Sequence, residues 1–60
     1  MKKIQKHPVK KWEVSLIQLE DKGTVKYKVT RRIPELGVAE TKMVYSKKKA
    51  KLLFEQWLRE

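Results

Sequence analysis

Sixty residues with 40% hydrophobic and 38% charged side chains make one small domain, too apolar for a disordered chain and too charged for a deep core. With no cysteine, neither a disulfide nor a thiolate metal site can add stability, and no apolar run longer than that of Leu52-Leu53-Phe54 suggests a signal-peptide core or a membrane span. Sixteen Lys and Arg against seven Asp and Glu give a formal net charge of +9, which attracts nucleic acid first, then acidic protein surfaces, then anionic lipid. The expected location is cytoplasmic.

Residues 1–9, with Lys2, Lys3, Lys6, His7 and Pro8, show no periodicity and read as a flexible basic arm; residues 10–60 read as the domain. Trp12-Glu13-Val14-Ser15-Leu16 alternates apolar and polar, the mark of a half-buried strand. The phase slips at Leu16-Ile17, then Ile17 and Leu19 continue it on the other side. A β-bulge or a strand apolar on both faces would produce this slip. Glu20-Asp21-Lys22-Gly23 reads as a hairpin turn, with Gly23 supplying positive φ. Thr24 to Thr30 is the cleanest strand: Val25, Tyr27 and Val29 share one face, while Lys26, Lys28 and Thr30, followed by Arg32, share the other. Alternation would turn Arg31 inward, which suggests strand twist near the next turn, Ile33-Pro34-Glu35-Leu36-Gly37. Val38 to Tyr45 reads as a third strand.

Ala50, Leu53, Phe54, Trp57 and Leu58 follow at i, i+3, i+4, i+7 and i+8, the apolar stripe of an amphipathic helix. Ser46 is its expected N-cap, and Tyr45 is placed to pack on Ala50 as a hydrophobic staple. The expected fold is α+β: a three-stranded antiparallel sheet with one C-terminal helix across one face, β-β-β-α. The core is expected to hold Trp12, Val14, Val25, Tyr27, Val29, Phe54 and Trp57.

Catalysis has little to draw on. His7 is the single histidine, the adjacent Glu20 and Asp21 fall in a turn, and Gly23 and Gly37 are isolated turn residues rather than a phosphate-binding loop. No enzyme activity, metal, cofactor or small-molecule substrate is expected. The basic residues instead form three groups: the arm with Lys10 and Lys11, the open strand face with Lys26, Lys28 and Arg32 joined by Lys42, and the helix start with Lys47, Lys48, Lys49 and Lys51. The helix start is unusual. A first turn carries unpaired N–H groups and the positive pole of the helix, a place that favours acids over lysines unless an anion sits there. A phosphate would satisfy both.

Ser46-Lys47-Lys48-Lys49-Ala50-Lys51 resembles the Ser-Lys-Lys-x-Ala-Lys element that opens the last helix of double-stranded RNA-binding domains. That resemblance implies phosphate contacts from Lys47, Lys48 and Lys51. The span from Lys11 to Leu58 resembles the arm-binding N-terminal domains of phage and transposon tyrosine recombinases, through Trp12-Glu13-Val14, Tyr45 to Ala50 and Trp57-Leu58. It implies a sheet face entering the DNA major groove, with Lys26, Lys28 and Arg32 near the bases and the helix-start lysines on phosphates. Lys49 stands where that family usually has an acidic residue. The expected function is a non-catalytic module for duplex nucleic acid, DNA ahead of RNA, with no membrane role. The alternative is a protein-interaction module docking on an acidic partner.

Overall fold

The alternation of Val25, Tyr27 and Val29 forms a strand because its apolar members fall on one side of the pleat, where a helix covers them. The structure, a computed structural model, describes residues 2–60. Its elements run β1 (Lys2–Lys6), β2 (Glu13–Asp21), β3 (Thr24–Ile33), β4 (Val38–Val44) and α1 (Lys47–Arg59). The strands form one antiparallel sheet in the order β1-β2-β3-β4.

The α+β architecture with a C-terminal helix stands, but the sheet has four strands rather than three. The additional strand is β1, drawn from the segment read as an arm, of which Met1 lies outside the described residues. Lys2 to Lys6 pair with Ile17 to Glu13 while every side chain stays exposed. A strand buried on neither face carries no hydrophobic alternation, so its pairing leaves no periodic signal. The same hairpin goes one residue further: His7 donates its backbone N–H to the Trp12 carbonyl at 2.9 Å, leaving Pro8 to Lys11 as the loop.

β2 and β3 pair without interruption from Glu13↔Arg32 to Asp21↔Thr24, so the phase slip at Leu16-Ile17 is no bulge. Val14 and Leu16 are buried towards the helix, whereas Ile17 and Leu19 are half-buried on the other face. The loop between these strands is Lys22-Gly23, with φ of 50° and 81°; positive φ at both central residues is the type I′ geometry that matches strand twist. Between β3 and β4, the backbone N–H groups of Leu36 and Gly37 both donate to the Ile33 carbonyl, and Gly37 leaves the turn at φ 65°.

Val14, Leu16, Tyr27, Val29, Ala50, Phe54 and Trp57 form the core, with Trp12, Val25, Val44, Leu53 and Leu58 packed round it. Leu16, the largest side chain wholly removed from solvent, is a core residue that the broken alternation concealed. The helix crosses β2 and β3 chiefly. Burying a side chain of that size contributes about 1.5–3 kcal/mol, a large part of the stability of a domain this small.

Candidate nucleic-acid interface

Register decides what the helix-free face carries. Reading across the pairs, one row holds Lys6, Glu13, Arg32 and Ala39, and the next holds Ile4, Ser15, Thr30 and Thr41. A third row holds Lys2, Ile17, Lys28 and Met43, and Leu19 and Lys26 follow. The three cations expected on this face, Lys26, Lys28 and Arg32, therefore do lie together, and β1 adds Lys2 and Lys6. Glu13 and, at the hairpin end, Asp21 are the acids in the same phase. Arg32 is partly engaged: its Nη2 lies 3.7 Å from Glu13 Oε2. Lys2, Lys6, Lys26 and Lys28 make no ion pair among the described residues. The side chains between these cations are small or apolar, and Thr30 and Thr41 share a hydroxyl–hydroxyl bond of 3.1 Å.

Lys42 does not join this face. It pairs with Val29, whose side chain is in the core, so it points to the helix side, with Nζ 6.0 Å from the Trp57 ring centre. The period of two that puts Lys26 and Lys28 outside puts Lys42 under the helix rim.

At the helix start, Ser46 is extended (φ −121°, ψ 127°), and its Oγ accepts from the Lys49 N–H at a long 3.4 Å. Ala50 N–H reaches the Ser46 carbonyl at 2.9 Å, which closes the first turn. Lys47, Lys48, Lys49 and Lys51 are all exposed, with no acid in the first turn and no ion pair among the described residues. The expected staple is not made. Tyr45 is 72% exposed, because it follows Met43 by two residues and so continues the phase of the open face. Because β4 ends at Val44, opposite Tyr27, the helix starts at the Lys22-Gly23 end of the sheet. Its far end reaches Arg31 through Glu60.

The opposite end of the molecule is held by groups that sequence reasoning placed elsewhere. His7 is buried at 8% exposure, and its Nδ1 accepts from the backbone N–H groups of Val9 at 3.1 Å and Lys10 at 2.9 Å. Those two bonds shape the Pro8–Lys11 loop; His7 is a loop anchor, not part of a free arm. Lys10 and Lys11, expected on the arm, have partners within the chain. Lys10 Nζ lies 4.9 Å from the Trp12 ring centre, and Lys11 Nζ lies 3.9 Å from Glu35 Oε2 in a pair too exposed to be strong.

Arg31 turns inward as alternation requires. Its guanidinium lies 4.9 Å from the Trp12 ring centre and 4.6 Å from that of Trp57. Its Nε and Nη2 donate to Glu40 Oε1 at 2.9 and 2.6 Å, and Nη1 donates to Glu60 Oε2 at 2.8 Å. Desolvation opposes the charge, but the bonds to Glu40 and Glu60 outweigh it and raise the guanidinium pKa above its ordinary value. Glu60 is held below the usual carboxylate range, first by the Gln56 amide and then by Arg31. The strand twist expected at Arg31 does not turn it aside: the pairing runs regularly through it, and it keeps the inward phase because Glu40 from β4 and Glu60 from the helix end satisfy its charge, partners that no local pattern joins.

Among the described residues no three His, Cys, Asp or Glu side chains are grouped to hold a metal ion, and no helix is long and apolar enough to cross a membrane. No protein-family model, curated protein or solved structure matches this chain.

Proposed function

We propose that this protein is a non-catalytic module that binds duplex nucleic acid, DNA ahead of RNA, mainly through phosphates. One observation carries the reading: Lys2, Lys6, Lys26, Lys28 and Arg32 share a sheet face that the helix leaves uncovered, against Glu13 and Asp21. Cations on β1 and β3, set apart by β2, complement a duplex backbone, and the side chains between them, Ser15, Ile17 and Thr30, carry no competing charge. Lys47 and Lys48 add cations at the hairpin end, where a phosphate would also meet open N–H groups of the first helical turn. The aromatics argue against single strands: Tyr27, Phe54 and Trp57 are in the core, and Tyr45 alone, exposed at the hairpin end, is too little to stack successive bases.

The test is a titration against duplex DNA, duplex RNA and single strands at two salt concentrations. With about six phosphates neutralised, log affinity for duplex DNA falls with log salt at a slope of about −5. Tight binding with a much shallower slope overturns the phosphate-dominated mechanism. A second reading, docking on an acidic protein, is favoured by Ile4 and Met43, which lie exposed among the same cations at 59% and 42%. It predicts no salt-sensitive duplex binding.

A further inference from the structure

We propose that the free edge of β4 is a self-association surface, and that its partner is a second copy of this chain paired antiparallel about Thr41. β4 closes one side of the sheet, has no proline or glycine, and pairs with β3 without a bulge; its guards against edge pairing are the charges of Glu40 and Lys42, and these are complementary to a second copy of the same strand. Its sequence, Val38-Ala39-Glu40-Thr41-Lys42-Met43-Val44, is its own complement about Thr41. In that register Glu40 of each copy lies opposite Lys42 of the other, Val38 lies opposite Val44, Ala39 opposite Met43, and Thr41 opposite itself.

The facing groups are available. Glu40 and Lys42 project to the same side of the sheet, since their partners Arg31 and Val29 do. Arg31 occupies Glu40 Oε1 alone, leaving Oε2, and Lys42 makes no ion pair among the described residues. Directly opposed unlike charges stabilise a strand pair, and like charges oppose it. The other edge contrasts: β1 paired about Ile4 would set Lys2 against Lys6 twice. The helices do not obstruct the pairing. They lie chiefly over β2 and β3, which puts them about 19 Å apart at four strand spacings, well beyond helix contact at about 10 Å. A two-fold axis through Thr41 closes the assembly at two copies. It also brings both helix-free faces to one side of a continuous sheet.

The natural absence of cysteine makes the test direct. Across the proposed axis, two Thr41 Cα atoms lie about 4.5–5.5 Å apart, within the range a disulfide spans. Without nucleic acid present, Thr41→Cys is expected to oxidise to a covalent dimer at least tenfold faster than Ile4→Cys, an exposed position at the centre of the other edge. Adding Lys42→Glu is expected to remove that advantage. If Thr41→Cys disturbs folding through its bond to Thr30, a mixture of Ala39→Cys and Met43→Cys serves instead, with the mixed dimer expected to exceed either homodimer. Equal rates for Thr41→Cys and Ile4→Cys overturn the proposal, as does preferential Ile4–Thr41 cross-linking, which would mean head-to-tail pairing. The outcome is independent of whether the protein binds duplex.

Discussion

Arg31 is the residue on which the far end of the molecule converges. It joins β3 to β4 through Glu40, to the helix end through Glu60, and lies beside two tryptophan rings. With its side chain 23% exposed, its interactions are only partly screened. Arg31→Ala is expected to lower stability by about 1–3 kcal/mol, because it removes both the packing on the rings and the charge-assisted bonds. Arg31→Lys is expected to recover less than half of that, because an ammonium cannot present the planar fork that reaches Glu40 and Glu60 together. Urea denaturation measures both. Glu60 carries the pH dependence of the same cluster. Its carboxyl is lowered in the folded state, so it stabilises the fold when ionised, at pH above the ordinary carboxylate range. That contribution is lost as pH falls through the lowered folded value. Glu60→Gln is therefore expected to have a lower urea midpoint than the parent near neutrality, with the difference vanishing in acid; a constant difference across pH would assign the effect to something other than charge.

At the scale of elements, local chemistry accounts for most of what forms. Ser46 starts the helix, the stripe from Ala50 to Leu58 seats it, and Lys22-Gly23 turns the central hairpin. That turn is made at a cost, because Lys22 holds φ at 50° without being glycine. Lys22→Asn keeps a side chain that tolerates this conformation and is expected to raise stability by several tenths to about 1 kcal/mol, read as a higher urea midpoint at unchanged slope. β1 is the element that local chemistry does not announce. Its residues are neither buried nor patterned, and it forms because β2 offers an unpaired edge that His7 and the Pro8–Lys11 loop bring it to. Tyr45 shows the same limit: spacing alone suits a staple, but strand phase carries its ring to the opposite face.

Across the whole molecule, the open face and the helix start lie on different sides of the sheet and approach each other only at the hairpin end, where Lys26 and Lys47 are nearest in the topology. A duplex that uses both must follow its backbone round that end. Lys47, Lys48 and Lys51 changed together to Glu are expected to abolish duplex binding while the fold persists or gains about 0.3–1 kcal/mol from acids near the positive helix pole. Lys26→Gln with Lys28→Gln is expected to weaken binding and make the salt slope shallower by about two, one for each phosphate no longer neutralised. If the triple variant binds duplex as the parent does, the helix start carries no phosphate and the sheet face acts alone.

By itself the sequence determined the α+β class, the helix with its cap, the two central strands, and the clustering of Lys26, Lys28 and Arg32 on one face. Each of these follows from periodicity, which depends only on which side of a strand or helix meets the core. The tertiary structure alone decided the fourth strand, the burial of His7, the removal of Lys42 from the basic face, and the joining of Arg31 to Glu40 and Glu60. These depend on pairing register and on contacts between residues far apart in the chain, and neither leaves a mark on any local pattern.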